Sequence, residues 1–182
     1  RKFGPIPGGG PVSIYVFENQ ASFRLNVFGS EDPELDVTGL ADHVSRRIFI
    51  TSYHDGCRPK KRLLQTPVHE LVHIYLPHGY IYIREGTACY FADMLVPLAE
   101  DDIPAGFADL RFYVDGPEAT KIAYFASSWM MKYIYEECLD RRMADFRAWM
   151  ASPDDYSVLG FADETEFFAA WGDWLREMFG YS

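Results

Sequence analysis

Along the chain, apolar positions change their period several times. "VSIYVF" (12–17) alternates and is rich in β-branched and aromatic residues, which predicts a strand. "ENQASFRLNVFG" then predicts a short helix ending near Gly29, and residues 30–45 are acidic and loop-like. "RRIFITS" (46–52) predicts a second strand. After "YHDGCRP", apolar residues recur at helical spacing as far as Leu76. Pro67 interrupts that run, so the helix is kinked there or begins there with Thr66 as its N-cap. Pro77 and Gly79 end it, and a further helix is predicted from about Ile83 to Val96, where Pro97 stops it.

Residues 97–117 are rich in Gly and Pro and predict loops. "EATKIAYFASSWMMKYIYEECLDRRM" predicts one long helix, with a shorter one over 144–151. "DETEFFAAWGDWLREMF" is the last, with Asp163 as N-cap and Glu166 three residues on, in a capping-box pattern. Its apolar stripe is Phe167, Phe168, Trp171, Trp174, Leu175 and Met178. The sum is an α+β chain without internal repeats. It reads as one domain over 1–182: a flexible Gly/Pro arm (1–11), a strand–helix–strand part (12–57) and a mainly helical part (58–182).

Composition narrows the function classes. With 182 residues and 48% hydrophobic content, a buried core is expected. The net charge of −10 is unevenly spread: residues 1–91 carry 10 basic and 9 acidic side chains, residues 92–182 carry 7 and 18. That half would repel a nucleic-acid backbone, and no basic stripe offsets it. The small cluster Arg58, Lys60, Lys61, Arg62 reads as a solvated face rather than a binding patch. No apolar run is long enough to span a bilayer. Cys57, Cys89 and Cys138 form no CxxC pair, and their redox state stays open.

The candidate chemistry lies in "TPVHELVHIYLPHGYIYIREGTACYFA" (66–92). On a helix, His69 and His73 stand one turn apart on one face, so their imidazoles can converge on a single ion. Glu70 lies around the helix from His69, placed to take a proton from a metal-bound water rather than to ligate. A catalytic zinc needs a third protein ligand and one open position. Glu85 answers that need: a short turn through 77–82 would make the two helices antiparallel and bring Glu85 level with His73. His78 sits behind a proline, Asp93 lies two turns beyond Glu85, and His43 and His54 fall in loops or strand ends; all fit less well.

"HELVH" followed by "YIREGTACYFA" resembles the gluzincin metallopeptidases, in particular the small bacterial peptidase-MA-like proteins. The flanking "VSIYVFENQASF", "RRIFITS", "AYFASSWMMKYIYEE" and "DETEFFAAWGDWLRE" look like the strands and later helices of that family. The resemblance implies a zincin-like fold, a small N-terminal sheet with a helix packed on a mainly helical part that bears the HExxH helix. It implies one Zn²⁺ held by His69, His73 and Glu85, Glu70 as the base, and a peptide or protein substrate. Tyr124 in "IAYFASSW" is the expected oxyanion donor by the same resemblance, with Tyr113 as the runner-up. On the helix, Ile122, Ala126, Trp129 and Tyr133 mark the expected core stripe, and Tyr124 aligns with Ser128, Met131 and Tyr135 on another face.

Two features depart from the family pattern. The linker between His73 and Glu85 has 11 residues, shorter than in gluzincin aminopeptidases, and Cys89 stands where an acidic residue is common. "EGTACYFADMLVP" also resembles the regulator-cleaving metallopeptidases of the phage-repressor type, which are cytoplasmic and cleave transcription factors. The first resemblance is favoured by "EG" and the late tryptophan, and with it an extracytoplasmic location. A zinc-binding scaffold without turnover and a metal-free helical domain are the remaining alternatives.

Overall fold

A computed structural model describes residues 10–30, 37–51 and 60–181, with side chains from Gln65 onward in the last stretch. Most of the Gly/Pro arm, His54, Cys57 and the side chains of the basic cluster Arg58, Lys60, Lys61 and Arg62 lie outside the described residues. The architecture is α+β: a small sheet and a mostly helical remainder. The chain divides into two compact units, one ending at Pro77 and the other beginning at His78.

In the first unit, strand β1 (Ser13–Phe17) leads into helix α1 (Gln20–Phe28). Asn19 caps the helix by accepting the Ser22 N–H at 2.8 Å, and Gly29 ends it in the left-handed region at φ 68°. That is the conformation a residue without Cβ adopts most readily. Strands β2 (Gly39–Asp42) and β3 (Arg47–Thr51) complete a sheet of order β1-β3-β2, with β1 parallel and β2 antiparallel to β3. Strand β2 falls where a loop was predicted. "GLAD" carries two strand-disfavoured residues, and pairing to β3 with Ala41 packed into the core overrides them.

Helix α2 (Lys60–Tyr75) packs on one face of this sheet, where Ile48, Ile50 and Ile74 are buried with Leu71 and Tyr75 against them. It runs through Pro67 without starting there, so Thr66 is not its N-cap. Helix α1 lies on the other face, where Phe23 is fully buried and meets Phe17 edge-on. The HExxH helix is thus the cover of one sheet face, its apolar side fixed by the isoleucines of the central strand.

The second unit begins with helix α3 (Ile81–Phe91), two residues earlier and five residues shorter at its end than predicted. Pro97 is not the stop. Asp93 adopts φ 57°, Met94 N–H donates to Cys89 O at 2.9 Å, and Asp93 N–H donates to Tyr90 O at 3.1 Å. This is a Schellman arrangement, and Asp is among the few residues that enter it without glycine. Helix α4 (Pro117–Tyr133) follows the loop, and its predicted continuation is cut short by a π turn over Ile134–Cys138. Asp140 and Arg141, both at positive φ, then end it.

Helices α5 (Met143–Met150) and α6 (Glu164–Phe179) close the unit. Asp163 caps α6 by accepting the Glu166 N–H at 3.0 Å, as predicted. Phe167, Phe168, Trp171 and Leu175 are buried, but Met178 is exposed and leaves the stripe. Helix α4 is buried from Ala126 through Met131. Ser128 and Met131, expected on a different face from the core stripe, are therefore core as well.

Candidate metal centre

Helix α2 places His69 and His73 one turn apart with ring centroids 4.7 Å apart and nearly perpendicular. Both are half-buried, while Glu70 between them is 6% exposed. The Glu70 carboxylate rests on β2: a Cβ at Gly39 would lie 2.5 Å from Glu70 Oε1 and 2.8 Å from Thr66 Cγ2. No real Cβ sits that close, so this strand position must be glycine for Glu70 to keep its place. A glycine in a stretch that reads as loop gave no hint of this.

On α3, Glu85 is 7% exposed. Arg84, its sequence neighbour, donates from Nε to Glu85 Oε1 at 2.9 Å. Gly86 follows for a packing reason: its Cβ would lie 2.5 Å from the Ser127 carbonyl oxygen of α4. The "EG" pair is therefore a buried carboxylate beside a close contact between α3 and the α4 backbone. Cys89, one turn on, is buried.

His69, His73 and Glu85 each offer a ligand atom, and these atoms all lie within 4.8 Å of one another, a group that could hold a metal ion. The donor chemistry suits a borderline cation such as zinc: two imidazole nitrogens and one carboxylate oxygen, three protein ligands in all. The rival His78 is engaged elsewhere. Its Nε2 meets Met150 O at 2.8 Å and its Nδ1 accepts the Tyr80 N–H at 3.0 Å. Asp93 is exposed just beyond the Ala92 C-cap of α3, and His43 is exposed in the β2–β3 turn.

Tyr124 on α4 is half-buried. Burial raises its phenol above the ordinary value, and the Glu85 carboxylate and a hydrogen bond with Tyr113 add to the effect. Its hydroxyl meets the Tyr113 hydroxyl at 2.6 Å. The two tyrosines weighed as alternatives in the sequence are thus hydrogen-bonded neighbours. The loop before α4 also borders a cavity of about 370 Å³ lined by Asp101, Asp102, Asp109 and Arg111. Among the described residues, no helix is long and apolar enough to cross a membrane.

Compared with known proteins, the chain matches no family model, no curated protein and no solved structure.

Proposed function

We propose that this protein is a zinc-dependent peptidase, with zinc held by His69, His73 and Glu85 and with Glu70 as the proton carrier. The observation that carries the reading is the grouping of three ligand atoms of the right chemical types within 4.8 Å. The buried Glu70 adjoining one of them adds the group a hydrolase needs and a structural metal site does not. Zinc bound there would supply Lewis-acid polarisation of a carbonyl and acidify a water.

The chain's own residues account for the rest. Glu70, held against Gly39, takes a proton from the attacking water at its carboxylate and returns it to the leaving amine. Tyr124 donates to the oxygen of the substrate carbonyl as negative charge develops there. Its phenol is protonated at neutral pH and so has a proton to donate.

One observation favours a second reading. Arg84 already gives Glu85 a counter-charge, as a metal-free packed site would require. Metal analysis of protein purified without added zinc separates the two. Near-stoichiometric zinc in the wild type, lost in Glu85→Ala and kept in His78→Ala, is the expected result. A wild type without metal, or zinc retained in Glu85→Ala, contradicts the ligand assignment.

A further inference from the structure

We infer that Tyr113 is a positioning residue for Tyr124, holding its hydroxyl by a hydroxyl–hydroxyl hydrogen bond so that its one proton stays free for donation. The inference rests on the peptidase reading for its catalytic consequence, and on geometry for the pairing itself.

The loop before α4 is built around this contact. Tyr113 is a bulky, two-thirds exposed residue in the left-handed region at φ 60°. That conformation is costly for a side chain of its size and persists only where its surroundings impose it. They do so here. Tyr113 N–H donates to Thr120 Oγ1 at 2.9 Å, and Thr120 Oγ1 donates to Gly116 O at 3.0 Å, which ties the loop to the first turn of α4. Phe112, 8% exposed, meets the Tyr124 ring edge-on at 5.1 Å between centroids. Arg111 and Asp115 pair across the same loop. Burial does not explain why an exposed tyrosine is held in a strained backbone with its hydroxyl 2.6 Å from that of Tyr124.

Either hydroxyl can donate in this pair. Tyr124 is the more buried partner, whereas Tyr113 faces solvent. A Tyr124 that gives its one proton to the substrate must accept within the pair, so Tyr113 is the donor in the acting arrangement. A phenylalanine at 113 would leave the Tyr124 hydroxyl free to rotate and to take water as its partner. Loss of one neutral hydrogen bond that fixes a donor corresponds to a kcat reduced up to about tenfold.

Three variants of the whole chain test this: Tyr113→Phe, Tyr124→Phe and the double substitution, with tyrosine carrying ¹³C at the ζ carbon. Tyr124→Phe identifies the Tyr124 resonance by its disappearance. In Tyr113→Phe that resonance should move, and peptide hydrolysis should show a lower kcat with KM unchanged. The double variant should be no slower than Tyr124→Phe, because Tyr113 acts through Tyr124. An unmoved Tyr124 resonance overturns the pairing. Additive losses in the double variant overturn positioning, even if the resonance moves. No hydrolysis by the wild type overturns the peptidase reading and the catalytic part of this inference, while the resonance still decides the pairing.

Discussion

Glu70 keeps its place only because residue 39 is glycine. A methyl group at 39 would enter the space of the Glu70 carboxylate at 2.5 Å, so Gly39→Ala must push that carboxylate aside or part β2 from α2. Displacements of about 1 Å in a catalytic group cost on the order of 10²-fold. Gly39→Ala is therefore expected to lower kcat strongly while zinc content stays near wild type. Parallel metal analysis and peptide assays check this, and wild-type kcat would contradict it. Tyr124→Phe should lower kcat by roughly 10²-fold, the effect of losing one oxyanion donor. The His-Glu-His triplet was legible because its spacing follows from the helical repeat alone. Gly39 was not, since its role comes from a strand that the local sequence does not favour.

At the scale of elements, α3 and α4 meet where Gly86 faces the Ser127 backbone. The added methyl of Gly86→Ala meets a carbonyl oxygen at 2.5 Å, a contact that backbone movement alone can relieve. Overpacking of this kind typically costs about 1–3 kcal/mol, and chemical denaturation should show a loss of that order. A second link joins α3 to the end of α4. Tyr90 donates to Glu136 at 2.6 Å, and Lys132 and Arg141 pair with the same carboxylate at 2.8 and 2.6 Å. Burial pushes the Glu136 carboxyl up, but hydrogen bonds from Lys132, Tyr90 and Arg141 outweigh that and bring it down to about 2. Its folded value is thus below its unfolded one. The contribution to stability is complete above the ordinary value of 4.5 and is lost as pH falls towards about 2. Glu136→Gln should flatten the acid side of the stability profile between those limits; an unchanged slope in denaturation at a series of pH values would contradict it.

Most helices were legible from apolar period and end signals, and Asp163 capped α6 as its sequence pattern required. The α3 stop at Asp93 and the end of the helical run at Asp140 and Arg141 depend on backbone at positive φ in residues other than glycine, which sequence punctuation does not mark.

For the molecule as a whole, the most legible property is charge. A net charge of −10, with 18 of 27 acidic side chains after residue 91, would attract cationic peptides and repel anionic ones. A Lys/Arg-rich substrate should show a higher kcat/KM than an acidic one of equal length. The difference should shrink as the Debye length falls from about 30 Å at 0.01 M salt to about 3 Å at 1 M. A preference unaffected by salt would place selectivity in local contacts instead. The central claim is narrower: zinc held by His69, His73 and Glu85 is used for hydrolysis through Glu70. The most direct measurement is peptide hydrolysis by Glu70→Gln at verified zinc occupancy, since glutamine keeps the size of the side chain and removes only the base. The account predicts a protein that holds zinc like the wild type and hydrolyses nothing; turnover equal to the wild type at equal zinc content would contradict it.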